Sequence, residues 1–253
     1  MGKEYNRNLN DFGVVGMENE FLKIDMHVHT SGVSTCSAIS ALEAVDLKQA
    51  EGYDGFVLTN HCQAWYYPET EHGAYVERVI DEFKRAKEYG DKKGLKVFLG
   101  LDVSINDPFY SYWLLYGATE EFLKGTPCLY KLTQRELYKL CHENGIVLVQ
   151  AHPYRGNTGY CDDMKPGYPD ALDGVEINCT RGDFLTKEKV VLWAKENGKL
   201  VTCGMDYHGP SDRVKGGMKL PKWVNTSQDI AKYLKETDKT ELFFGDEELV
   251  VSK

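Results

Sequence analysis

The chain is short of several things at once. Its 253 residues carry no basic excess: 30 lysines and arginines face 39 aspartates and glutamates, a net charge of −9. A polyanion-binding face needs the opposite balance, so a long nucleic acid is not an expected partner. No apolar run approaches the ~18 residues that span a bilayer, so no membrane partner is expected. The opening stretch MGKEYNRNLNDFG is polar and mixed in charge, unlike a signal peptide. The seven cysteines, at positions 36, 62, 128, 141, 161, 179 and 203, form no C-x-x-C pair. An odd, scattered set argues against a zinc ribbon or a disulfide framework and suits a reducing cytoplasm. Linkers, low-complexity segments and short repeats are missing too.

What is present is a rhythm. Hydrophobic residues make up 42% of the chain, enough for a sizeable core. Strand-like runs fall at 21–26 (FLKIDM), 55–59, 96–100, 113–117, 146–151, 174–178 (GVEIN) and 199–204, with another at 241–244. Helical stretches alternate with them; 74–89 puts Val76, Val79, Ile80, Phe83, Ala86 and Tyr89 on one face. Ser40-x-x-Glu43 and Thr133-x-x-Glu136 read as capping boxes. Gly52, Gly145 and Gly198 stand where left-handed helix ends are wanted. Helix, glycine, strand repeated at this length predicts an α/β protein, a parallel barrel of about seven or eight β/α units. A doubly wound open sheet has the same periodicity. Residues 1–20 read as an N-terminal arm and 21–253 as a single barrel domain.

Histidine is scarce as well, with seven copies. Five of them (His27, His29, His61, His152 and His208) fall at the carboxyl ends of predicted strands, the edge where β/α barrels build their sites. Asp102 and Asp206 fall at the same edge. Strand alternation puts Asp25, His27 and His29 on one face, about 6.6 Å apart in steps of two. Two such imidazoles can converge on one cation, with Asp25 orienting a ring from behind. One His-x-His pair arises by chance roughly one time in five. Four or five imidazoles and carboxylates at successive strand ends do not. Such donors suit Zn²⁺, Mn²⁺ or Fe²⁺.

The motifs DMHVHT, LTNH, AHPYR, GVEIN and GMDYH, in that order over residues 22–210, resemble those of the PHP (polymerase and histidinol phosphatase) family. The resemblance implies a distorted (β/α)7 TIM-like barrel holding two or three divalent metal ions and hydrolysing phosphoesters. It implies that His27, His29 and Asp206 hold a first metal, that Asp102 bridges, that His152 holds a second, and that His61 and His208 hold a third. Cys36 stands in the loop where a further ligand is expected; a small buried cysteine is the plainer alternative. Asn60, Glu176 and Asn178 fall behind the ligands. Asp102 replaces a glutamate, TNH replaces TDH, Met205 and Tyr207 flank Asp206 where small residues are usual, and residues 103–117 contain no histidine.

Arg155 follows AHP and has two readings, a phosphate clamp or a rim salt bridge. The clusters WYYP (65–68) and PFYSYW (108–113) either wall a ring-stacking pocket or pack a lid, packing being favoured. The activity expected is that of a metal-dependent phosphoesterase acting on a small phosphorylated substrate, a phosphomonoester or nucleotide. A hydroxide bridging two metals attacks phosphorus in line, Arg155 stabilises the charge, and Asp206 or His208 moves the proton. Three other outcomes stay open: a nuclease on short oligonucleotides, a degenerate barrel keeping one metal, and an amidohydrolase. The last often bridges its metals with a strand-end lysine, and no strand end here offers one.

Overall fold

The computed structural model describes residues 21–156, 164–180, 183–210 and 214–253; the arm at 1–20 and Cys161 lie outside the described residues. The chain begins with β1 (Phe21–Val28), α1 (Ala41–Ala50), β2 (Gly55–Leu58), the short β3 (His61–Cys62) and α2 (His72–Lys93). β4 (Lys96–Asn106), β5 (Tyr110–Tyr116), α3 (Glu120–Gly125), α4 (Gln134–Glu143), β6 (Val147–Gln150) and β7 (Gly174–Asn178) follow. α5 (Lys187–Asn197), β8 (Leu200–Gly204), β9 (Gly216–Pro221), α6 (Ser227–Glu236), β10 (Lys239–Phe244) and β11 (Glu247–Ser252) complete it.

Seven strands, β1-β2-β4-β5-β6-β7-β8, are hydrogen-bonded in that order. The ring closes at its upper edge, where Tyr207 N donates to His27 O at 3.0 Å and His29 N donates to Tyr207 O at 2.9 Å. Below that edge β9 takes the place beside β1, running antiparallel with Phe21 opposite Pro221 and Ile24 opposite Met218. The hairpin of β10 and β11 extends the sheet outward from it. The result is a barrel nearly closed on itself, with a three-stranded flap where β1 and β8 part.

Two expectations change. β5 is antiparallel to both β4 and β6, not one more parallel stave. Only residues 107–109 separate it from β4, and a parallel crossover needs a dozen or more. Asp102 does not end its strand: β4 runs on to Asn106, and Asp102 sits opposite His61 of β3. β2 and β3 are two pieces of one stave, both parallel to β4, interrupted at Thr59–Asn60.

Helix starts follow the sequence. Both expected capping boxes form, at Ser40/Glu43 and Thr133/Glu136, and a third forms at Thr226/Asp229. The strands are buried on both sides, as staves under a helical layer must be; Ile24, Met26 and Val28 are fully buried on one face of β1, and Asp25, His27 and His29 on the other. No helix among the described residues is long and apolar enough to cross a membrane.

Candidate metal centre

His27 and His29 leave the top of β1 with their Nε2 atoms 2.8 Å apart. Asp206 Oδ1, from the turn after β8, lies 3.1 Å from His29 Nε2 and 3.4 Å from His27 Nε2. Beside this triangle is a second one, in which His29, His61 and His208 present ligand atoms within 4.8 Å of one another. Asp102 Oδ2 approaches members of both, 3.7 Å from His27, 3.9 Å from His29 and 3.0 Å from His61 Nδ1. The shorter aspartate reaches that far because β4 carries it through the site. His152 flanks the cluster, its ring stacked 6.0 Å from that of His27.

The tautomers follow from the partners. His27 Nδ1 faces Glu176 Oε1 at 2.9 Å, and a buried carboxylate only accepts, so the proton is on Nδ1. His208 Nδ1 faces the carbonyl of Asp206 at 2.8 Å and carries its proton for the same reason. Ser34 Oγ donates to Asn60 Oδ1 at 2.8 Å, which leaves it to accept from His29 Nδ1 at 3.4 Å. The Nε2 lone pairs of His27 and His29 therefore turn inward toward carboxylate oxygens, and that of His208 toward Cys36 Sγ. Such a set is unstable without a cation at its centre. Neither oxygen of Asp102, nor Nδ1 of His61 or His152, has a hydrogen bond among the described residues, though all are buried. Imidazole and carboxylate donors left in this state fit divalent metal ions.

The electrostatics agree. Burial would lower the pKa of His27, but the carboxylates of Glu176, Asp206 and Asp102 raise it well above the ordinary value. Burial and the neighbouring His61 and His208 push His29 well below it. Burial opposes ionisation of Asp102 and Asp206, yet the histidines hold the first carboxyl far down, and Arg155 with His27 holds the second. His61 is raised to about 9 against its burial by Asp102 and Cys36.

The surrounding residues form a loop of hydrogen bonds. Glu176 Oε2 accepts from Asn178 Nδ2 and from His152 N, both at 3.1 Å. Asn178 Oδ1 accepts from Thr180 Oγ1 at 2.6 Å. Arg155 donates to Thr180 Oγ1 at 3.1 Å and to Asp206 Oδ2 at 2.9 Å, returning to the cluster. Arg155 is thus both ion-paired and turned inward, not a rim bridge. Gly204 makes room for this closeness: a Cβ there would sit 2.5 Å from that of His27 and 2.7 Å from Glu176 Oε1. His152 and Asp206 adopt positive φ of 32° and 47°, conformations that side chains other than glycine rarely hold outside functional sites.

Asn60 uses both ends of its amide, accepting from Thr30 N at 2.8 Å and donating to Thr30 Oγ1 at 3.1 Å. It thereby fastens the loop after β1. Asp25 does not orient an imidazole. Its Oδ1 accepts from the backbone N of His27 and of Met205, at 3.1 and 2.9 Å, because it lies one layer deeper in the barrel. Cys36 is exposed, with Sγ 3.1 Å from His208 Nε2. Burial pushes its thiol up, but His208 and His61 outweigh that and hold it at about 6. His72 and His142, the two histidines away from strand ends, stay outside the cluster; His142 pairs with Asp173 at 2.9 Å. Two neighbours carry no signal in the sequence: Thr180 and Lys48, whose ammonium holds Asp25 at 2.9 Å.

No protein-family model and no curated protein matches the chain. Solved structures do match. A two-domain protein from Bacteroides vulgatus ATCC 8482, containing a predicted PHP-like metal-dependent phosphoesterase, is 15% identical with a TM-score of 0.55, over 89% of this chain and 60% of that one. PsfC from Pseudomonas syringae PB-5123 is 17% identical, TM-score 0.60, over 84% and 88%. The lesion-specific endonuclease EndoQ from Pyrococcus furiosus is 14% identical, TM-score 0.58, over 85% and 56%. The chain spans about 60% of the Bacteroides protein's length. The chain shares the barrel fold of these proteins.

Proposed function

We propose that the protein is a metal-dependent phosphoesterase acting on a small phosphorylated substrate, a phosphomonoester or nucleotide, in the cytoplasm. The observation that carries this is the pair of lone-pair triangles sharing His29, with the Arg155 guanidinium at their edge. His27, His29 and Asp206 would hold one ion, His152 with Asp102 its neighbour, and His61 with His208 a further one. Divalent ions at such a site polarise phosphoryl oxygens and lower the pKa of water.

The chain's own groups do the rest. Arg155, donating to Asp206 Oδ2, stands at the edge of the same space, where a guanidinium can give a phosphoryl group charge-assisted N–H bonds. Asp206 is held ionised by Arg155 and His27, so it is a poor proton source. His208 has its Nδ1 proton fixed on the Asp206 carbonyl; its Nε2 would hold an ion or, with only two ions bound, carry the proton toward the leaving group. Tyr112, beside His61 and His152, keeps water from one side of the cluster.

Metal analysis of the purified protein, followed by a panel of nucleotides, sugar phosphates and amino-alcohol phosphates with Mn²⁺ and Zn²⁺, is the direct test. Two or three equivalents of metal and turnover of a monoester are expected, and H27A/H29A should lose both with the fold retained. Full turnover by that variant would sink the assignment; one equivalent or none, without turnover, marks the degenerate barrel. A second reading, cleavage of short oligonucleotides, takes its support from the fold shared with the Pyrococcus endonuclease. Dinucleotides tested against p-nitrophenyl phosphate separate the two.

A further inference from the structure

Three glutamines among the described residues are buried, and one differs from the other two. Gln134 and Gln150 use both ends of their amides. Gln134 Nε2 donates to the carbonyls of Tyr168 and Ala171, both at 2.9 Å, and its Oε1 accepts from Tyr168 N at 2.8 Å. Gln150 donates to Lys165 O at 2.8 Å and accepts from Gly167 N at 2.7 Å. Gln63 is 2% exposed, yet its side-chain amide has no hydrogen bond among the described residues. A buried amide without a partner is unfavourable, and native folds keep few of them.

Its place in the barrel gives this a use. Gln63 follows β3, whose Cys62 is opposite Val103 of β4, so the register brings it level with Ser104, one step beyond His61 and Asp102. Ser104 is buried too, and its hydroxyl has no partner among the described residues. The tier beyond the ligand cluster thus holds two neutral polar groups for which the fold supplies no partner. Gln63 lines a cavity of about 430 Å³ together with Cys36, His61, Trp65, Tyr66 and Tyr112. Ser104 is not part of that lining, so the amide is the group a ligand meets.

We propose that Gln63 reads the leaving group of the phosphoester by taking a hydroxyl carried two or three carbons from the ester oxygen, so that the substrate is a polyol or sugar phosphate. An amide presents donors on one side and an acceptor on the other. A hydroxyl both donates and accepts, whereas an ammonium only donates and a carboxylate only accepts. The spacing agrees. Two residues along a strand cover about 6.6 Å, and phosphorus, oxygen, two or three carbons and a hydroxyl oxygen, joined by ~1.5 Å bonds, span a similar length. The assignment rests on the phosphoesterase reading, in which the histidine cluster and Arg155 hold the phosphoryl end.

The test compares kcat/KM for glycerol 1-phosphate, ribose 5-phosphate, propyl phosphate and 3-aminopropyl phosphate in Mn²⁺ buffer. The proteins are the wild type and Q63M, which keeps the side-chain length and removes the amide. At least one hydroxylated ester should exceed propyl phosphate by about tenfold or more, and Q63M should bring that ratio to within about twofold of one. The larger ratio, for glycerol or for ribose, names an open polyol or a sugar. Q63M should unfold in urea no earlier than the wild type, because the amide it removes has no partner to lose. Equal rates for the hydroxylated and propyl esters, a ratio that survives Q63M, a preference for the amino ester, or earlier unfolding of Q63M overturns the subsite and leaves the phosphoesterase reading standing. So does hydrolysis of p-nitrophenyl phosphate with all four esters untouched. If p-nitrophenyl phosphate is left intact as well, both fall.

Discussion

Lys48 Nζ lies 2.9 Å from Asp25 Oδ2, and neither side chain is exposed at all. The ammonium also contacts Glu51 at 3.0 Å and sits 3.5 Å over the ring of Tyr207. Asp25 in turn accepts the backbone N–H groups of His27 and Met205. One buried ion pair therefore ties β1 to the turn that carries Asp206.

Removing one partner of such a pair leaves a charge uncompensated in the interior, at a cost of about 3–5 kcal/mol. K48M should lose stability on that scale in urea unfolding. The double variant K48M/D25N should recover much of it, because an asparagine amide oxygen still accepts both N–H groups while carrying no charge. A double variant as unstable as K48M would show that the ion pair is not the source of the loss.

Glu176 offers a prediction that separates metal binding from folding. It accepts from His27 Nδ1, Asn178 Nδ2 and His152 N, so all its contacts are donors. E176Q replaces one acceptor oxygen with an NH₂ facing donors and removes the charge that steadies His27. Metal affinity should fall about 10–100-fold, read by competition with a chromogenic chelator. Circular dichroism should stay that of the wild type.

Much of this site was legible in the sequence, for a physical reason. Strand alternation fixes which residues share a face, so Asp25-x-His27-x-His29 declared its geometry, and Glu176 and Asn178 followed from GVEIN. Strand direction was not legible. WLLYG packs equally well either way, and the three-residue turn at 107–109 decides for antiparallel. β9 was hidden because GGMKLP reads as a loop. Its glycines are there because a Cβ at Gly217 would strike the Ile24 carbonyl. Lys48 was invisible: a lysine on a helix is ordinarily solvated, and only the tertiary fold buries this one beneath Tyr207.

Arg155 is expected to act on substrate rather than on metal. Its contacts include Asp206 Oδ2 and Thr180 Oγ1, and both can be rehydrated on its removal. R155A should lower kcat/KM for a monoester about 10²–10³-fold, the scale of one lost donor to developing charge. Metal content should stay at the wild-type number of equivalents. R155K should recover only part of the rate, since an ammonium cannot make the two parallel bonds of a guanidinium. Loss of metal in R155A would instead assign the residue to holding Asp206 in place.

The helix starts predict how stability falls in acid. Backbone and side-chain donors of Ser40 lower the pKa of Glu43, those of Thr133 lower Glu136, and Asn225 N with Thr226 lowers Asp229. A folded pKa below the unfolded value means the folded state releases its proton more readily. The stabilisation is therefore complete above the unfolded carboxylate range near about 4. It is lost as pH falls through the depressed folded values. The midpoint of thermal unfolding should hold from pH 7 to 5 and decline below 4, and E43Q/E136Q/D229N should flatten that decline while lowering the plateau. All three carboxylates lie on helix starts away from the metal ligands, so the variant's metal content should not change. A decline just as steep in the triple variant would place the acid sensitivity in the buried aspartates of the cluster instead.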